Sequence, residues 1–216
     1  MSTLLREGIR LRIGTRLRKQ PITMEQIGQL DDLYKFGMVS PQEAAWTPGK
    51  VFAHDERGAV PHLCIAAGDE QVQLIETLLE NMPEPFWLLY VLVVGRGEGQ
   101  PGRYQASEPL TREQLKLFLK RFRNFLEHDG RHNIWVKSES GPALLVLDRH
   151  DLVYAYDLED GWSDALRRMG WVEVDRDGIT LPDPHVHHYH AIFDDEARDI
   201  LATMQWNWSP LREQDY

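Results

Sequence analysis

Hydrophobic and polar positions alternate strictly near the start of the chain. Ile9, Leu11, Ile13, Thr15 and Leu17 fall on one face, and Arg10, Arg12, Arg16 and Arg18 on the other. A period of two predicts a half-buried strand over 9–18. A helix is expected over 23–36, with Thr23 as N-cap and Gly37 as its stop. Residues 38–60, with Pro41, Pro48 and Gly49, read mostly as loop. His62 to Ala66 reads as a strand. Val72, Ile75, Leu78, Leu79 and Met82 then recur at helical spacing, predicting a helix over 70–82 capped by Asp69 and ended by Pro83 and Pro85. Phe86 to Val94 is apolar on both faces, as in a strand covered on two sides. Strand, helix and strand in this order permit a parallel crossover unit.

Beyond a turn-rich stretch over 95–109, Thr111 and Gln114 form a capping-box pattern. Leu115, Phe118, Leu119, Phe122, Phe125 and Leu126 make an apolar stripe, and Gly130 suits a left-handed helix end. Three short strands, about 132–138, 143–148 and 151–157, with tight corners between them, read as an antiparallel meander. A short helix is expected over 160–169, a hairpin from 171–174 and 179–181, and a last helix over 195–204 with Asp194 as N-cap. These elements predict an α+β fold with a mixed sheet. An antiparallel β-meander packs against a long amphipathic helix, preceded by an N-terminal βαβ unit. The expected organisation is a single domain over 1–216, with an N-terminal subdomain 1–82 and a core 83–216 as the finer division.

Composition supports a packed interior: 42% of the 216 residues are hydrophobic. The lone cysteine, Cys64, excludes a disulfide framework within the chain and argues against a cysteine-based zinc site. The longest apolar run, Phe86 to Val94, is too short to span a bilayer, and no secretory leader pattern follows the start. A cytoplasmic protein with no membrane association is expected. The net charge of −10 disfavours duplex nucleic acid. The charge is segregated: residues 1–20 hold six Lys or Arg and one Glu, leaving 18 basic and 33 acidic residues beyond them.

The densest chemistry lies in Pro184-His185-Val186-His187-His188-Tyr189-His190. In an extended segment His185 and His187 share one face, and His188 and His190 the other. Same-face residues stand about 7 Å apart, close enough for two imidazoles to grip one metal. Asp194 offers an oxygen ligand nearby. Two histidines and a carboxylate suit zinc or iron. The bland alternative is an exposed His-rich strand that binds metal only adventitiously.

Two charged corners form the second constellation: Glu127 to His132, and Asp148-Arg149-His150-Asp151. In a meander the start of the first strand and the turn joining the second to the third lie at the same sheet end. His132, His150, Arg131, Arg149 and Asp148 are therefore the candidate catalytic residues. They could bind an anion, supply acid–base chemistry or complete a metal site with the His-rich strand. Salt-bridged turns are the structural alternative.

Other motifs carry less. Gly97 to Gly102 matches GxGxxG, but Pro101 and a long gap separate it from the next helix, whereas a dinucleotide fingerprint opens a helix at once. Cys64 is flanked by core-type residues and reads as structural. Arg112, Lys116, Lys120 and Arg123 mark a solvated helix face. Trp206 and Trp208 read as core cover.

Two functional classes follow. The first is a non-catalytic cytoplasmic binding protein whose acidic surface meets a protein partner. The second is a zinc- or iron-dependent hydrolase or oxygenase built on the His185, His187, His188 and His190 cluster. A pH sensor based on the same histidines is a weaker third. The geometric question is whether the corners 127–132 and 148–151 converge with the strand over 185–190.

Overall fold

The computed structural model describes residues 33–39, 44–97, 99–156 and 161–216. The strand expected over 9–18 and most of the helix expected over 23–36 lie outside them. Residues 33–36 are described and are not helical: Phe36 opens a strand.

Twelve strands and five α-helices form an α+β fold among the described residues. The strands are β1 (Phe36–Met38), β2 (Ala44–Ala45), β3 (Val51–Asp55), β4 (His62–Ala66), β5 (Phe86–Leu92), β6 (Gly102–Ala106), β7 (His132–Ser138), β8 (Leu144–Leu147), β9 (Leu152–Tyr156), β10 (Val172–Glu173), β11 (His185–His187) and β12 (Trp206–Ser209). The helices are α1 (Gln71–Leu78), α2 (Arg112–Arg121), α3 (Arg123–His128), α4 (Gly161–Arg168) and α5 (Asp194–Thr203). Nine strands make one mixed sheet in the order β10-β3-β4-β9-β8-β7-β5-β6-β12, with only β10 and β3 paired in parallel. A three-stranded sheet, β11-β1-β2, stands beside it.

The meander forms as β7-β8-β9, antiparallel throughout. The crossover unit is split. β4 and β5 point the same way, but β9, β8 and β7 lie between them. Strands from both sides of position 82 therefore share one sheet.

Sheet alternation divides the core. Phe52, Leu63, Ile65, Leu88, Tyr90, Ile134 and Val136 face the helices, where Leu74, Leu78, Leu115, Phe118 and Phe125 meet them. Ala53, Cys64, Ala66 and Leu152 belong to a smaller cluster with Ile179. Trp87 and Leu89 are only half-buried, so β5 is not fully covered on both faces as its sequence suggests. Burial pushes the Cys64 thiol up to about 12, which keeps it protonated and inert.

Several expectations change. The long amphipathic helix is broken at Phe122 (φ −106°, ψ 14°) into α2 and α3. The bend brings the Glu127 carboxylate to the Val72 N–H at the start of α1, 3.0 Å away. Val51–Asp55 and Gly102–Ala106 are strands in stretches read as loop; the last glycine of the GxGxxG pattern opens a strand, not a helix. Residues 179–181 do not form a hairpin partner; β10 pairs with β3. No helix among the described residues is long and apolar enough to cross a membrane.

The capping box on α2 is present in full. Thr111 Oγ1 accepts from the Gln114 N–H at 3.2 Å, and Gln114 Oε1 accepts from the Thr111 N–H at 2.9 Å. Thr111→Ala is expected to cost about 1 kcal/mol in urea denaturation. A change within the error of the wild-type midpoint would show that the cap contributes nothing.

Candidate functional site

The site begins with a two-residue spacing on a strand. β11 is extended and pairs antiparallel with β1, aligning His187 with Phe36 and His185 with Met38. His185 and His187 therefore project to one side, against the ring of Phe36, at centroid distances of 5.1 and 5.2 Å. His150 reaches the same ring from the turn between β8 and β9, at 5.1 Å. Phe36 is fully buried and so forms a rigid floor under three imidazoles. Ring centroids of the three histidines lie 4.9 to 5.6 Å apart. One nitrogen from each lies within 4.8 Å of the others. His185 is exposed, and His150 and His187 are half-buried.

The turn that presents His150 is tightly specified. Asp148 Oδ1 accepts from the backbone N–H groups of His150 and Leu152, at 2.8 and 3.0 Å. Asp151 adopts a left-handed conformation (φ 63°), which Asp tolerates better than most residues. Lys35 pins the turn from below. Its fully buried ammonium donates to the carbonyls of Leu126 and Asp148 and pairs with Asp151 at 3.2 Å. These contacts place Phe36, the next residue, beneath His150.

Ring orientation follows from hydrogen-bond partners. His150 Nδ1 lies 2.8 Å from Asp148 Oδ2, and His185 Nδ1 lies 3.0 Å from the carbonyl of Pro182. Both partners only accept, so both Nδ1 atoms carry hydrogen, and in the neutral ring the lone pair is on Nε2. A carboxylate or carbonyl behind a ring nitrogen is the usual support of a metal-binding histidine. His187 differs: its Nε2 accepts from Arg149 Nε at 3.1 Å, and its buried Nδ1 has no hydrogen-bond partner among the described residues. Burial, then the nearby charge of Arg149 and the other two rings, lowers the His187 ring to about 3. It is neutral at ordinary pH.

The remaining sequence candidates go elsewhere. His188 and His190 turn to the opposite side of the strand, stacked at 6.0 Å, with Tyr34 against the His188 ring. Asp194 binds Arg131 at 2.9 Å and Arg96 at 3.3 Å, not the trio. Partial burial would raise its carboxyl, but the two guanidiniums win and hold it below its ordinary value. Arg131 and Asp194 line a separate cleft of about 480 Å³ with Arg96 and Leu201. Arg131 is itself buried and forked onto Asp129 at 2.7 and 2.9 Å. His132 lies in the aromatic core, 4.5 Å from the Phe125 ring and 5.7 Å from Tyr90.

The corner over 129–131 nevertheless holds the His-rich segment. The Gly130 N–H donates to the His188 carbonyl at 2.9 Å, Arg131 donates to the His190 carbonyl at 3.0 Å, and Asp129 accepts from the His190 N–H at 2.8 Å. Gly130 is not left-handed. It is needed for close approach, because a Cβ there would lie 2.7 Å from the Lys35 carbonyl and 3.3 Å from His187 Cβ. Phe36 and Lys35 carry no signal of this role in the sequence. Pro182, with Pro184, biases the approach to the His-rich segment toward an extended chain, as β11 is.

The arrangement supplies two correctly oriented imidazoles, a third neutral one and a solvent-facing side at His185. Compared with protein-family models, curated protein sequences and solved structures, the chain matches none of them.

Proposed function

We propose that this chain binds a divalent transition-metal ion, zinc, through His150, His185 and His187, and uses the ion for hydrolytic chemistry. The reading is carried by one observation: three imidazoles each bring one nitrogen within 4.8 Å of the others, and two of the rings are oriented by acceptors at Nδ1. A zinc ion bonded at about 2.0–2.1 Å to each nitrogen would set them about 3.4 Å apart. The rings would close by about 1.4 Å at most (4.8 less 3.4), which side-chain rotation supplies.

The donor set favours zinc over iron. Non-haem iron sites typically include a carboxylate ligand. Here Asp148 supports a ring from behind, and Asp194 is engaged by two arginines. Three histidines with a position left for solvent match catalytic zinc, which brings the pKa of bound water to about 7. On this chain His150 and His185 would hold the ion, Asp148 and the Pro182 carbonyl would fix their tautomers, and Phe36 would keep one side dry.

Metal analysis of tag-free protein, purified without added metal and then titrated with zinc, tests this. One zinc per chain is expected, lost in a His185→Ala, His187→Ala double variant. Less than about 0.2 zinc per chain after titration, or retention of zinc by the variant, would overturn the proposal.

The net charge of −10 favours a second reading, a cytoplasmic, non-catalytic protein that meets a basic protein partner. Zinc stoichiometry separates the two, since this reading gives the trio no ion to hold.

A further inference from the structure

The proposed zinc site contains one contact of the wrong polarity. His150 and His185 face acceptors, whereas His187 faces a donor, Arg149 Nε, at 3.1 Å. A neutral imidazole has one lone-pair nitrogen and one N–H. Because His187 Nε2 accepts from Arg149, its hydrogen sits on Nδ1, the nitrogen that is buried without a partner among the described residues. Neither nitrogen can then bind a metal. Ligation through Nε2 must break the Arg149 bond. Ligation through Nδ1 must move the hydrogen to Nε2, which would set two N–H groups against each other. In either case the guanidinium has to leave, and its charge also repels the incoming cation.

We infer that Arg149 is a built-in competitor of the metal ion, holding His187 in a closed, metal-free state and withdrawing when the ion binds. This rests on the zinc-site reading above. Arg149 forms no ion pair with a carboxylate of any described residue, so no acidic partner on the described surface has to be abandoned when it moves. Its backbone is separately anchored: the Arg149 N–H donates to Asn133 Oδ1 at 2.9 Å, and the Asp148 carboxylate secures the turn around it. The side chain can thus swing without unmaking the turn that presents His150. The device sets an affinity threshold: the site fills only when the available metal outcompetes the guanidinium.

The test is a titration of the full chain with cobalt(II), read by the visible absorption of a tetrahedral complex, followed by competition with zinc. Wild type, Arg149→Gln and Arg149→Lys are compared, each checked for an unchanged melting profile without metal. Arg149→Gln should bind roughly tenfold or more tightly, the worth of one lost charge-assisted hydrogen bond. Arg149→Lys, with a shorter reach and no guanidinium fork, should fall between. Binding by Arg149→Gln alone, with none in wild type, would mean that the guanidinium never withdraws, and overturns both the inference and the zinc reading of the native chain. Equal or weaker binding by Arg149→Gln, where the wild type binds metal through His185 and His187, overturns the inference and leaves the zinc site standing. Binding by neither protein, or binding that survives loss of both histidines, overturns both.

Discussion

Asp129→Ala is expected to lower the unfolding free energy by about 3–5 kcal/mol, the usual cost of removing one partner from a buried ion pair. Asp129 and Arg131 are both buried, and Asp129 alone accepts from the Arg131 N–H, from two guanidinium nitrogens of Arg131 and from the His190 N–H. Deleting the carboxylate leaves the Arg131 charge, among the described carboxylates, with Asp194 alone, which is partly exposed and shared with Arg96. Stabilities of ordinary domains are about 5–15 kcal/mol, so the loss is a large fraction of the total. Urea midpoints at constant slope would measure the loss. Asp129→Asn keeps the shape and should fall between. A loss below about 1 kcal/mol in the alanine variant would mean that Arg131 finds another partner at little cost.

The second large effect concerns pH. His132 is 1% exposed, and neither ring nitrogen makes a hydrogen bond with a described residue. Burial first, then the charges of Lys35 and Arg131, pushes its pKa well below the ordinary value. The sign follows from proton binding. Below about pH 6.5 the unfolded chain takes up a proton on His132 that the folded chain refuses, so stability falls as pH falls. For one such group the slope is at most about 1.4 kcal/mol per pH unit. His187, lowered to about 3, adds a loss of the same sign. His132→Leu removes the His132 share and fills the space beside Phe125 and Tyr90 with an apolar side chain. The variant should therefore gain on wild type steadily as pH falls from about 6.5 toward about 5. Parallel stability curves for the two proteins from pH 7 to 5 would show that His132 protonates freely in the fold.

The elements that sequence reveals best are those with local causes. The Thr111–Gln114 cap and the stripe from Leu115 fix the start of α2. Alternation and the Asp148–Asp151 corner fix β8 and β9. The bend at Phe122 is not local: it depends on Glu127 reaching Val72, 55 positions away. β3 and β6 are short and flanked by Gly and Pro, so their turn residues outweigh their strand pattern. The separation of β4 from β5 by the meander is a long-range pairing that no window of sequence contains.

The site divides in the same way. The two-residue spacing of His185 and His187 is readable as one strand face, and the corner argument places His150 at the correct end of the sheet. Lys35 is different. A lysine after Tyr34 reads as a solvated charge, yet it is wholly buried because Leu126, Asp148 and Asp151 supply its acceptors from three distant positions. Arg131 reads as a reactive corner residue, yet its guanidinium is consumed in holding the chain around His190. A charged residue's type reveals its chemistry, but only the fold decides whether that chemistry is spent internally.

The floor under the imidazoles has a mechanical consequence. Phe36 belongs to the small sheet, as do His185 and His187, while His150 belongs to a turn of the large one. The trio therefore straddles a seam between the two sheets. An ion drawing the three rings together would act as a rivet across that seam, and slippage of β1 along β11 by one residue would remove both strand histidines from it at once. The register of a three-residue strand pair thus decides whether an ion can add to the contacts that already join the two sheets through Lys35 and the 129–131 corner.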